Sequence, residues 1–260
     1  EGHEVSGPRV LDRSISAHAS VIDVGTGTGQ LSAYLALRRS KVLGVDFSQS
    51  SLNKAEALRR KLGITTLHLK KVDILDKNEV SSIGEQFDFL LCLGVLHHTS
   101  NPYHGFQNII NLVKPGGYVA IGLYNRYGRL LLKLRRLLAR TVFKDNVRIK
   151  NRFIRMQIGE TDDKEKMRGW WNDQYLHPRE TLHTVGEVLG WFKSNGVEYI
   201  QSLPSLSPFD DADLEIAGVW NGAGEKYPNL FIRFYKQLLW IWETHKDGGY
   251  WIMFGKKKDE

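Results

Sequence analysis

The stretch VIDVGTGTGQLS, residues 21–32, constrains what this chain can fold into more than any other. Val21, Ile22 and Val24 read as a short buried strand, and the apolar spacing from Leu31 to Leu37 reads as a helix. Gly25, Gly27 and Gly29 therefore occupy a strand-to-helix turn, the place where open α/β sheets bind their ligands. A glycine there lets the backbone adopt positive φ and approach a ligand, and the helix N-terminus offers unpaired amides. The dinucleotide fingerprint G-x-G-x-x-G needs a glycine where this chain has Gln30, so the fit to a nicotinamide site is poor. Asp23, two residues before the first glycine, would repel a pyrophosphate and suit a cationic amino-acid moiety.

The rest of the chain repeats the strand–helix rhythm. KVLGVD is a second strand ending at Asp46, followed by SQSSLNKAEALRRKLG, a helix capped by Ser48 or Ser50 and closed by Gly63. TTLHLKKVD is a third strand ending near Asp73. FDFLLCLGVLHH is a fourth, nearly all apolar as a strand covered on both faces must be. NPYHGFQNIINLVKPGG reads as a helix with a Pro-Gly-Gly stop, and YVAIGLYN as a fifth strand. After an interruption, PRETLHTVGEVLGWFKSNG reads as a helix and VEYIQSL as a sixth strand. The helix NLFIRFYKQLLWIWETHK and a closing strand in GGYWIMFGKKK complete the pattern, and that last strand can enter the sheet antiparallel. Alternation of this kind predicts an α/β doubly wound, mostly parallel sheet.

Length and composition agree with one domain. The 260 residues, 42% hydrophobic and 25% charged, can bury one large core, so 1–260 is expected to be a single domain. No apolar run approaches the roughly 20 residues that span a bilayer, and no signal-peptide pattern is seen. The single cysteine, Cys92, fits a reducing compartment, and the cytoplasm is the expected location. The sequence opens on Glu1 rather than Met, so a piece of a longer protein is one reading. Charge is uneven: residues 126–179 hold 15 Lys and Arg against 6 Asp and Glu, leaving 21 against 23 of the chain's 36 and 29 elsewhere. That segment breaks the α/β rhythm and is expected to be a helical, basic insertion covering the substrate.

Asp46 lies 21 residues after Gly25, where a carboxylate can accept both hydroxyls of a ribose. Asp73 ends the next strand along the same edge, where it either receives an adenine amino group or caps the following turn. With these residues in place the chain resembles the class I, seven-stranded S-adenosylmethionine-dependent methyltransferases. The resemblance rests on VIDVGTGTG, GVDFSQSSLNKAE, KVDILD, FDFLLCLGVLHH and LVKPGGYVAIGLYN, in that order over about residues 20 to 125. The family's first motif, D/E-x-G-x-G-x-G, matches Asp23, Gly25, Gly27 and Gly29 position by position. Further stretches, GLYNRYGR and DQYLHPRETLHTVGEVLGWF, are similar to a bacterial methyltransferase subgroup. The resemblance implies the sheet order 3-2-1-4-5-7-6 and S-adenosyl-L-methionine as cofactor. It implies that the glycine turn holds the methionine part, that Asp46 with Phe47 lies at the ribose, and that Asp73 with Ile74 lies at the adenine. Gly94 to Leu96 would pass beside the reactive methyl.

The methyl acceptor is expected beyond the carboxyl ends of strands four and five, nearest His97, His98, Tyr124, Asn125 and Tyr127. His98 is either a base or a packing residue, and Asn125 either faces the acceptor or caps the next helix. Tyr124, Tyr127 and His177 are expected to face the methyl. Cys92 reads as core rather than nucleophile. No metal is expected, since the histidines come without cysteines or an H-x-x-x-H spacing. In RYGRLLLKLRRLLAR, Arg129, Lys133, Arg136 and Arg140 share one helical face and Leu130, Leu131, Leu134, Leu137 and Leu138 the other. A lid with its leucines on the core and its cations in water is one reading; an anionic substrate, RNA or a membrane surface is another. A small-molecule acceptor is favoured, with RNA methylation and a non-catalytic cofactor-binding protein as alternatives.

Overall fold

Side chains alternate across a strand, and in β1 (Ser20–Val24) Val21 joins one apolar cluster while Ile22 and Val24 join another. Two cores on opposite faces of one sheet follow from that alternation. The computed structural model describes residues 14–130, Lys133, 180–206, Trp220, 228–244 and 249–259. The other strands are β2 (Lys41–Asp46), β3 (Leu67–Lys71), β4 (Phe87–Leu93), β5 (Val113–Tyr124), β6 (Val197–Leu203) and β7 (Tyr250–Lys257). They form a seven-stranded sheet ordered β3-β2-β1-β4-β5-β7-β6. The pairs among β1 to β5 are parallel, and β7 runs antiparallel between β5 and β6. This is the α/β sheet and strand order expected from the sequence.

Capping chemistry sets the helix starts. Ser48 accepts from the Ser51 amide and opens α2 (Gln49–Lys61), after α1 (Gln30–Ala36). Asp76 accepts from Asn78 and Glu79 at α3 (Lys77–Ser81), a short helix that sequence reading did not identify. Asn101 accepts from His104 at α4 (Pro102–Ile109), which has proline in its first turn. Thr184 and Glu187 form a reciprocal capping box at α5 (Val185–Ser194), and Asn229 caps α6 (Leu230–Glu243).

Three boundaries differ from expectation. The apolar run from Phe87 to His98 leaves the sheet at Leu93, because Gly94 turns with φ 81° and Leu96–His98 forms a 3₁₀ turn. The helix expected to reach Pro-Gly-Gly ends at Ile109. Val113 already pairs with Phe87, and the residues between it and Tyr118, Pro-Gly-Gly included, form an irregularity in the strand. The helix expected from Pro178 begins at Val185, since the Thr184 cap stops it from starting earlier and His183 bridges to Asn125.

Candidate active site

The turn between β1 and α1 is tied to the end of β2. Gly25 and Thr26 donate from their amides to the Val45 carbonyl at 2.7 and 2.9 Å. The Asp46 carboxylate accepts from the Gly27 amide at 2.9 Å and the Ser48 amide at 2.7 Å, one bond per oxygen. A carboxylate has about four lone-pair sites, so Asp46 is held in place with acceptor capacity left. The glycines differ in what they serve. A Cβ on Gly25, whose φ is 75°, would lie 2.1 Å from Val95 Cγ2, and one on Gly29 would lie 2.7 Å from Ala55 of α2. A Cβ on Gly27, whose φ is 55°, would meet only the Gly25 carbonyl oxygen, at 4.0 Å, an ordinary contact.

These elements enclose a cavity of about 780 Å³, lined among others by Gly25, Gly27, Asp46, Phe47, Asp73, Ile74, Gly94 and His98. Val95, within the Gly94 to Leu96 stretch expected beside the methyl, also lines the wall, and Val72, Leu75, Ser51 and Thr99, not identified from sequence, complete it. Val95 lay inside the run read as strand, and Ser51 lies one turn into the helix after Asp46. The Asp73 carboxylate caps its own turn by accepting from the Leu75 amide at 2.9 Å while also lining the cavity. Asn108 donates to the Ile74 carbonyl from the buried side, fixing that wall.

Asp23 is elsewhere. It is 4% exposed, does not line the cavity, and accepts from Ser32, whose hydroxyl also bonds Thr26. Burial pushes its carboxyl above the ordinary range against the lowering effect of those hydroxyls. Its carboxyl thus lies beneath the turn, because a strand residue two before Gly25 points into the layer under α1. Leu96 is fully buried beside the cavity, and Gly29 packs on α2; neither is part of the lining.

The candidates on the acceptor side also separate. His98 lines the cavity, and its ring stands 4.2 Å from His97 and 6.3 Å from Tyr124. Tyr124 is buried behind His97, at 4.3 Å, with the Arg129 guanidinium 3.5 Å above its ring. Asn125 is fully buried, accepts from the Tyr127 and Gly128 amides and donates to Gln237, so it is the cap of its turn. Tyr127 packs edge-on against Phe234 at 6.2 Å. His177 lies outside the described residues, as do Arg136 and Arg140. Cys92 is buried in β4 and burial pushes its thiol up, in keeping with a core residue. Among the described residues no cluster of His, Cys, Asp or Glu could hold a metal.

Arg129 overturns the expectation of a solvent-facing cation. It is fully buried and paired with Glu180, while Leu130, expected on the core, is 54% exposed. Among the described residues of that cationic face, Lys133 is exposed as expected. The ion pair belongs to a clasp that sequence reading missed. Arg126 donates to the His183 carbonyl, His183 to the Tyr124 carbonyl, and Thr181 to the His97 carbonyl, at 2.9 to 3.1 Å. The two ends of the interrupted stretch are thereby closed side by side against the turn that carries His98.

A family model described as "Methyltransferase domain" matches residues 15–181. Ubiquinone biosynthesis O-methyltransferase of Dechloromonas aromatica is 36% identical over 135 residues, covering 48% of this chain and 53% of that protein. An uncharacterized protein of Synechococcus sp. is 24% identical over 200 residues, 69% of this chain and 47% of its own length. The chain spans about half the length of these curated relatives. Among solved structures, PKMT2 from Rickettsia typhi in complex with AdoHcy aligns with TM-score 0.67 at 16% identity, over 98% of this chain and 53% of that one. Magnesium protoporphyrin IX methyltransferase from Synechocystis with bound SAH aligns with TM-score 0.52 at 15% identity, over 93% and 75%. The chain belongs to the methyltransferase domain family, in its class I, S-adenosylmethionine-dependent form. S-Adenosylmethionine is the cofactor of that family, and the fixed Asp46 carboxylate beside an open glycine turn fits its ribose and amino-acid parts.

Proposed function

We propose that this chain transfers a methyl group from S-adenosylmethionine to a small-molecule acceptor, with an oxygen nucleophile the first candidate. The observation that carries the reading is the cavity itself, where Asp46, Asp73 and His98 are the titratable side chains of the wall. Bound there, the cofactor supplies an electrophilic methyl on a sulfonium. Asp46 holds the ribose hydroxyls, while Phe47, Val72, Ile74 and Leu75 give an apolar wall suited to a purine face. Gly25, Gly27 and Gly94 leave backbone exposed for the amino-acid part, and the Asp23 carboxyl lies beneath their turn. Positioning of the methyl against its acceptor then supplies much of the rate.

His98 is the proposed base. An oxygen acceptor that is protonated at working pH must lose its proton, and His98 is the imidazole in the lining. Tyr124 and Tyr127 stand behind and beside it and act as positioning residues, the first through His97 and the second through the turn capped by Asn125. The names of the relatives at 32–36% identity, all O-methyltransferases, support oxygen over sulfur or nitrogen. Residues 126–179 are the proposed cover of the acceptor, a reading supported by the clasp that ties Arg126 to His183 and Thr181 to His97.

The test is a methyl-transfer screen across phenols, carboxylic acids, thiols, amines and bulk RNA. Turnover is expected on a small oxygen acceptor, and His98→Ala should cut kcat by about 10²- to 10⁴-fold with cofactor affinity retained. Methylated RNA without small-molecule turnover would favour the reading suggested by the basic segment. Cofactor binding with no turnover on any class would leave a binding protein.

A further inference from the structure

Helix α6 is inside out. Its buried side chains include Lys236 and Gln237, together with Trp240, and Gln237 uses its amide to hold Asn125 and the Val185 amide. Its exposed side chains are Leu230, Phe231, Phe234, Tyr235, Leu238 and Trp242. At 100° per residue these six fall within an arc of about 140°, along a helix of about 21 Å. Leu230, Phe231 and Trp242 are 79%, 76% and 66% exposed. An aromatic and aliphatic stripe of this size on the outside of a domain marks an interaction surface.

Charge decides what covers it. The Tyr127 ring abuts Phe234, so the stripe adjoins the point where the basic stretch leaves β5. Arg126 and Lys133 on that stretch are exposed, residues 126–179 hold 15 cations against 6 anions, and the chain carries a net charge of +7. Two copies meeting through this face would bring like charges together, whereas an anionic surface would meet opposite charge. Among the described residues no helix is long and apolar enough to cross a membrane. A short helix with Trp, Tyr, Phe and Leu on one arc, its Phe234 against the Tyr127 that follows the exposed Arg126, suits the interface of a bilayer instead. We propose that α6 docks this protein reversibly on an anionic lipid surface, with Leu230, Phe231, Phe234, Tyr235, Leu238 and Trp242 entering the headgroup boundary. The proposal does not depend on the identity of the methyl acceptor.

Sedimentation of the full chain with vesicles tests it, using equal parts of phosphatidylglycerol and phosphatidylcholine, or phosphatidylcholine alone. The chain is expected to pellet with the anionic vesicles at low salt, less so as salt rises, and weakly with the neutral ones. Leu230→Ser with Phe231→Ser should lower the partition coefficient by about tenfold or more, the effect of withholding two large apolar side chains. Its melting temperature and S-adenosylhomocysteine affinity should stay unchanged, since both side chains face solvent. If the double variant does not fold, Phe231→Ser alone is expected to lose severalfold. No pelleting of the wild type, or equal partitioning of wild type and variant, overturns the proposal. A wild-type dimer that the variant converts to monomer also overturns it, in favour of a second copy on this face.

Discussion

Asp23 is a carboxyl buried under a turn, and its burial has a consequence for stability against pH. Burial raises its carboxyl pKa above the ordinary value of 3.8. As pH rises from below that value, the unfolded chain releases this proton first, so stability is lost until the folded carboxyl has also ionised. By neutral pH the wild type has therefore lost stability that an uncharged side chain at this position would keep. Asp23→Asn keeps an acceptor for Ser32 and removes the charge. Denaturant midpoints should show the variant at least as stable as wild type at pH 7, with the advantage shrinking toward pH 4. A variant clearly less stable at pH 7 would mean that the charge is compensated in the fold.

Between elements, the clasp is where stability and site meet. Arg129 and Glu180 are 1% and 8% exposed, and removing one partner of a buried pair leaves the other charge stranded. Glu180→Ala should cost about 3 to 5 kcal/mol of unfolding free energy, measured by denaturant titration. A loss under about 1 kcal/mol, as for a surface pair, would contradict the clasp. That contact also shows where sequence reading stops. The β1 turn, the strand ends at Asp46 and Asp73, and the antiparallel β7 follow from local signals: apolar alternation, glycines and chain spacing. Arg129 was placed in water because its helical face is cationic, and its partner lies 51 residues away, where periodicity carries no information. The end of β4 was overrun because Val95 and Leu96 continue the apolar pattern after Gly94 has already turned the chain. In α6 the pattern was legible and its direction was not, since an amphipathic stripe does not say which side meets the core.

At the scale of the whole molecule, the sheet places the lining residues of the cavity at and just beyond the carboxyl ends of β1, β2, β3 and β4. The two apolar clusters hold that edge rigid, so the site is largely formed before a ligand arrives. The proposed function requires this cavity to hold S-adenosylmethionine through Asp46. Calorimetric titration of the full chain with S-adenosylhomocysteine, with NAD, and with S-adenosylhomocysteine on Asp46→Ala tests it most directly. The account predicts binding of S-adenosylhomocysteine, no binding of NAD, and a loss of about 1.5 to 3 kcal/mol in the variant, the range for a hydrogen bond to a charged group. Binding of NAD alone, or an affinity unchanged in Asp46→Ala, would contradict it.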